Sequence, residues 1–228
     1  MGSVRLFVAT GVVLVSGLAG AQTESIPLDA VGGLRLVNVR AEPVTFKNRK
    51  ALRVTDSAPE NTGDEGRLVI LPRTEFEDGS IEVDLAGEPA VGAAAGARGF
   101  AGVAFRVAPD GPRFECIYLR PTNGRADDQV RRNHSVQYIS VPGFPWQRLR
   151  SEFPEKYESY VDLVAGDWTK VKIEVRSDKA RLYVHGAQQP TLLVNDLKQG
   201  RSKGAIALWV GPGTVAHFSN LRVSKSSK

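Results

Sequence analysis

Three runs in the C-terminal third decide the fold: residues 167–175 read DWTKVKIEV, residues 180–185 read ARLYVH and residues 204–223 read GAIALWVGPGTVAHFSNLRV. Polar and apolar side chains alternate in each. In an extended chain successive side chains point to opposite faces, so Val171, Ile173 and Val175 share one face while Lys170, Lys172, Glu174 and Arg176 share the other. Such a strand has one face in a core and one in water, as antiparallel sheets do. Residues 177–179 (Ser-Asp-Lys) turn the chain, and Leu182, Val184, Ile206, Leu208, Val210, Phe218, Leu221 and Val223 continue the apolar face. Each aliphatic side chain buried this way contributes roughly 1.5–3 kcal/mol.

Working outward, the same period recurs over residues 34–39, 51–55, 67–71, 80–85, 102–107, 114–120, 135–141 and 160–164. With the C-terminal set this makes about a dozen short strands, which predicts an all-β fold, a two-sheet antiparallel jelly-roll sandwich. One helical candidate spans residues 146–157, where Pro154 stops any helix. Two segments break the rhythm, the Gly/Ala-rich residues 87–99 and the long polar and aromatic span 121–159.

The N-terminus reads as a signal peptide over residues 1–21: Arg5, an apolar run over residues 6–18, and Ala19-Gly20-Ala21 before Gln22. That run is too short for a membrane anchor. The expectation is a secreted or periplasmic protein, free of the membrane after cleavage, with residues 22–228 forming a single domain. Cys116 is the sole cysteine, so no intramolecular disulfide forms and burial must hold the fold. The formal charge of +5 is spread along the chain. Nucleic-acid binding calls for a clustered basic stripe, and the nearest approach to one, Arg120, Arg125, Arg131 and Arg132, is interrupted by Asp127 and Asp128; no nucleic-acid partner is expected.

These residues carry a resemblance. FEDGSIEVDL at 76–85, GFAGVAFRV at 99–107, FECIYLRP at 114–121, DWTKVKIEV, ARLYVHG, GAIALWVG and the closing FSNLRV at 218–223 are similar to the concanavalin A-like lectin and glucanase superfamily. Among its bacterial branches the chain looks most like the laminin-G-like and 3-keto-disaccharide hydrolase-like domains. The resemblance implies two bent sheets whose concave face and rim loops bind carbohydrate. Laminarinase-like members carry a Glu-x-Asp strand motif with a second Glu, and Glu82, Asp84 and Glu88 lie on one face here. Six residues of strand span roughly 20 Å, whereas a retaining carboxylate pair stands about 5–5.5 Å apart. An ordinary amphipathic strand is therefore the better reading of these acids.

Two further groups point to sugar chemistry. Guanidinium groups and carboxylates make paired hydrogen bonds to hydroxyls, and aromatic faces stack on pyranose rings; Arg106, Glu115, Tyr118 and Arg120 offer this set on a shared face of neighbouring strands. Alternation with Val103 and Phe105 turns Arg106 away from the core, while Glu115 either meets ligand or pairs with an arginine inside the sandwich. The span 121–159 adds Arg132, His134, Tyr138 and Trp146, with His134 at a strand entrance; Phe144-Pro145-Trp146 is alternatively a plug over a sheet edge. The expected partner is a carbohydrate, bound by Arg106, Tyr118, Arg120, Arg132, Tyr138 and Trp146. If the chain is instead a glycoside or 3-keto-disaccharide hydrolase, Glu115 and His134 are the candidate catalytic groups. A non-catalytic protein-adhesion module is the third reading. The three histidines are too far apart in sequence for a transition-metal site; the resemblance implies a structural calcium in some members, to which Asp127-Asp128 could offer oxygens, but adjacent acids on a loop read as solvated, and no cofactor is specified. Cys116, in an apolar strand, reads as an inert buried thiol.

Overall fold

The computed structural model describes residues 23–57, 66–109 and 113–226, so the leader read at residues 1–21 lies outside the described residues. In chain order the elements are β1 (Thr23–Ile26), β2 (Arg35–Val37), β3 (Val39–Phe46), β4 (Arg49–Asp56), β5 (Leu68–Phe76), β6 (Gly79–Pro89), β7 (Ala101–Val107) and β8 (Phe114–Leu119). A 3-10 turn (Pro121–Asn123), α1 (Gln129–Asn133), β9 (Val136–Val141), α2 (Trp146–Glu152) and β10 (Glu158–Ser159) follow. The chain then runs through β11 (Thr169–Arg176), β12 (Lys179–Val184), β13 (Leu192–Val194), β14 (Gly204–Val210) and β15 (Thr214–Lys225).

These strands build two antiparallel sheets. The first has the order β13-β12-β11-β6-β15-β4-β3, with β1 also paired to β15, and the second β10-β9-β8-β7-β14-β5-β2. The predicted alternation sets the register of the first: Val171 lies opposite Val83 and Ile173 opposite Ile81, all buried, while Lys172 lies opposite Glu82 on the wet face. β15 runs along β6 on one side and is flanked on the other by β4 and then β1. Pro43 lies in β3, an edge strand, where a missing backbone N–H is tolerated.

The second sheet departs from simple alternation, because every residue of β7, β8 and β9 is buried. A strand buried on both faces is covered on both. One face packs on the first sheet, and residues 94–100 lie over the other together with α1 and α2, while β9 and β10 belong to the sheet itself. The span 121–159 is therefore not a loop: it carries α1, β9, α2 and β10. α2 ends at Glu152, ahead of Pro154, as the sequence requires.

Two local expectations are corrected. Residues 160–164 are not a strand, because the chain leaves the sheet after β10 and crosses the 3-10 turn, so closely that a Cβ on Gly124 would stand 2.4 Å from the Leu163 nitrogen. Arg106 does not face away from the core. The β7–β14 register shifts between Ala205 and Ala207, and Arg106 at φ 55° absorbs the bulge. Its side chain is fully buried.

Candidate functional site

The site begins with a cross-strand row. Register places Glu158, Gln137, Tyr118, Gly102 and Trp209 opposite one another across β10, β9, β8, β7 and β14. Directly opposed residues point to the same face. Tyr118 and Trp209 are separated by an intervening strand, so their backbones are roughly 10 Å apart, yet their ring centroids stand 4.5 Å apart. Gly102 permits this. A Cβ there would come within 2.4 Å of the Tyr118 Cβ, so the two rings meet over a position that has no side chain.

Above this aromatic floor lies a cleft of about 570 Å³. One wall is the Gly/Ala-rich segment, with Ala94, Ala97, Arg98 and Phe100; the other comes from the span 121–159, with Asn123, Arg131, His134, Trp146 and Arg150. The first wall is held close by Gly99 at φ +70°, where a Cβ would stand 2.6 Å from the Glu88 Cα, and by main-chain bonds from Thr122 N to Arg98 O (3.3 Å) and Gly211 N to Phe100 O (3.1 Å).

At one end of the floor the polar groups converge on Glu158. Arg120 donates through Nη1 to Glu158 Oε1 (2.9 Å) and His134 O (3.2 Å), and through Nη2 to Tyr118 Oη (3.0 Å) and Gln137 Oε1 (3.1 Å). Arg150 reaches the same carboxylate from α2, with Nε 2.9 Å from Oε2 and Nη2 on Oε1. Burial alone would raise the Glu158 pKa, but the bonds from Arg150 and Arg120 outweigh it and hold it below the ordinary carboxylate value. His134 Nε2 stands 3.6 Å from Glu158 Oε2, and burial, helped by Arg150 and Arg120, keeps its pKa below normal against the pull of Glu158. The imidazole is thus held toward its neutral form. Trp146 lies against both guanidinium groups, 5.6 Å from Arg120 and 4.7 Å from Arg150.

Of the residues singled out from sequence, Tyr118, Arg120, His134 and Trp146 surround this one cleft. The expected common face for Arg106, Glu115, Tyr118 and Arg120 is corrected. Glu115 shares its side of β8 with Ile117 and Leu119, opposite to Tyr118, and is fully buried, accepting bonds from Tyr138 Oη (2.7 Å) and Gln199 N (2.8 Å). Burial raises its pKa despite those bonds. Tyr138 lies with it, its hydroxyl also accepting from Lys198 N at 2.8 Å. Arg106 is spent on loop connections, donating to the carbonyls of Glu77, Gly200 and Ser177 and to Asp78. Arg132 is on α1 outside the cleft, its Nη2 2.9 Å from Tyr160 Oη. Glu82 and Asp84 lie on the exposed face of the first sheet, where Asp84 accepts from Arg49 (2.9 Å) and Asn220 (2.7 Å). Asp128 caps α1 by accepting from Arg131 N at 2.9 Å.

Trp209, Arg98, Arg150 and Glu158 belong to the site but not to the set that the sequence pattern points to. Trp209 was readable, since alternation with core-facing Leu208 and Val210 turns it outward. Glu158 gave no local signal, sitting in a strand two residues long.

No protein-family model matches the chain, and neither does any curated protein sequence at a significant level. Solved structures are similar in fold. One is a Bacillus subtilis protein of unknown function with a galectin-like fold, 14% identical, covering 90% of this chain and 96% of that one with a TM-score of 0.58. Another is the carbohydrate-binding module CBM66 from Bacillus subtilis, 15% identical, covering 84% of this chain and 96% of that one with a TM-score of 0.52. Together with the two antiparallel sheets, these likenesses make the fold a concanavalin A-like jelly-roll sandwich.

Proposed function

We propose that the protein binds a saccharide in the cleft over the second sheet. The observation that carries this is the cleft walled by the half-buried rings of Phe100 and Trp146 over the buried Tyr118–Trp209 floor, with the polar groups of Arg150 and Asn123 at its margin. Aromatic faces accept the apolar side of a sugar ring, and fixed donors around them orient its hydroxyls. The structural likeness to a carbohydrate-binding module supports the same reading. Recognition is favoured over hydrolysis because, among the described residues, no Asp or Glu lines the cleft. Glycoside hydrolysis ordinarily uses two carboxyl groups flanking the bond. Glu158 is engaged by two arginines at the end of the floor, and Glu115 faces the other side of its strand. Export under the leader read at residues 1–21 would bring such a cleft to extracytoplasmic glycans.

Titration of glycans against intrinsic tryptophan fluorescence tests this. Trp146→Ala and Tyr118→Phe, each checked by thermal melt, separate stacking from hydroxyl bonding. Loss of Trp146 is expected to weaken binding about tenfold, equivalent to about 1.4 kcal/mol. A broad glycan array with no ligand above background, or an affinity indifferent to Trp146, would remove the proposal.

A further inference from the structure

We infer that the saccharide is anionic, carrying a carboxylate or a sulfate ester that docks between Arg98 and Arg131. This rests on the reading of the cleft as a glycan site and specifies its ligand. Four guanidinium groups, those of Arg98, Arg120, Arg131 and Arg150, face one cleft of about 570 Å³. The carboxylate beside them, Glu158, is shared by Arg120 and Arg150. Arg98 and Arg131 form no ion pair with any described carboxylate. Arg98 is held by main-chain carbonyls alone, its Nη1 2.6 Å from Ala95 O and 3.0 Å from Ala97 O. Those bonds aim the guanidinium without neutralising it.

Arg131 makes the stronger case. Its Nε is buried and has no hydrogen-bond partner. Leaving a donor unsatisfied in this way is costly, and more so when the group is charged. α1 does not explain the cost, because the cap of that helix runs through the Arg131 backbone nitrogen and Asp128, leaving the side chain free of any role in it. Burial and the charges of Arg131 and Arg120 lower the Arg98 pKa, the mark of like charges crowded together. A fold selected for stability alone would separate these groups or supply a second carboxylate. An oxyanion from a ligand does both tasks, satisfying the buried Nε–H and screening the repulsion. Guanidinium is suited to it, since its planar fork meets carboxylate or sulfate oxygens in pairs. The adjacent aromatic floor takes the ring to which the anion is attached.

The test uses matched probe pairs in calorimetry: a galacturonate oligosaccharide against its methyl ester, and a sulfated oligosaccharide against its desulfated form. At least tenfold preference for the charged member, shrinking with added salt, is expected in one pair. The carboxylate and sulfate arms identify which anion is read. Arg131→Gln is expected to bring the charged member down to the affinity of its neutral partner while leaving the melting temperature unchanged or raised, because one of the crowded like charges is gone. Arg98→Gln gives the same reading on the second wall. Equal or better binding of the neutral members overturns the anionic assignment and leaves saccharide recognition standing. No binding of any member, charged or neutral, overturns both. A marked fall in melting temperature for Arg131→Gln also overturns it, since the side chain would then belong to the fold.

Discussion

His217 lies face to face with Phe46, the ring centroids 3.7 Å apart, and burial with the nearby charge of Arg53 lowers its pKa to about 4. An unfolded imidazole titrates near 6.5. Between these values the unfolded chain binds the extra proton, so stability is greatest above about pH 6.5 and falls as the pH drops toward 4. Chemical denaturation at pH 7 and pH 4.5 is expected to differ by about 2 kcal/mol from this group, and His217→Gln to flatten the slope; a slope unchanged by that substitution would assign it elsewhere. His134, also held below its ordinary value by burial, adds in the same sense. At this scale the sequence was partly legible. Tyr118, Arg120, His134 and Trp146 were readable as polar and aromatic groups that a strand or its entrance could present. Arg106 misled, because a bulge shifts the alternation on which the reading depended. Arg98 was hidden in a run of glycines and alanines whose chemistry is blank until the chain folds back over the sheet.

Among the elements, β7 has the narrowest tolerance. Gly102→Ala places a methyl group within 2.4 Å of the Ile117 carbonyl oxygen and of the Tyr118 Cβ. Overpacking of this kind typically costs about 1–3 kcal/mol. The expected outcome is a lower melting temperature with a red-shifted tryptophan emission, as Trp209 is forced off Tyr118; an unaltered spectrum would mean that the floor does not depend on that glycine. Period-two alternation revealed most of the strands, since half-buried strands advertise their faces. It failed where burial is two-sided or pairing is brief. β3 has an exposed edge and a proline, β10 is two residues long, and residues 160–164 alternate without pairing. α1 is five residues long, too short for helical periodicity to register.

For the molecule as a whole, the sandwich is held without an intramolecular disulfide, and its one thiol takes no part in crosslinking. Cys116 is fully buried in β8, where burial raises its pKa well above the ordinary thiol value. The unfolding midpoint is therefore expected to be the same with and without a reducing agent, and a thiol reagent to modify Cys116 only once denaturant unfolds the chain. Rapid modification of the native protein would mean that β8 opens locally. The fold class was legible from end to end because every level of the sequence, from strand period to turn residues, points to the same architecture. The cleft was less so, since its walls come from segments distant in sequence that only tertiary packing brings face to face.

The position of β15 has a consequence for biogenesis. A strand drawn from the last described residues fills the middle of the first sheet, between β6 on one side and β4 and β1 on the other. A ribosome adds residues in order, so β4 and β6 emerge long before the neighbour that joins them. The first sheet cannot close while residues 214–225 are still in the exit tunnel.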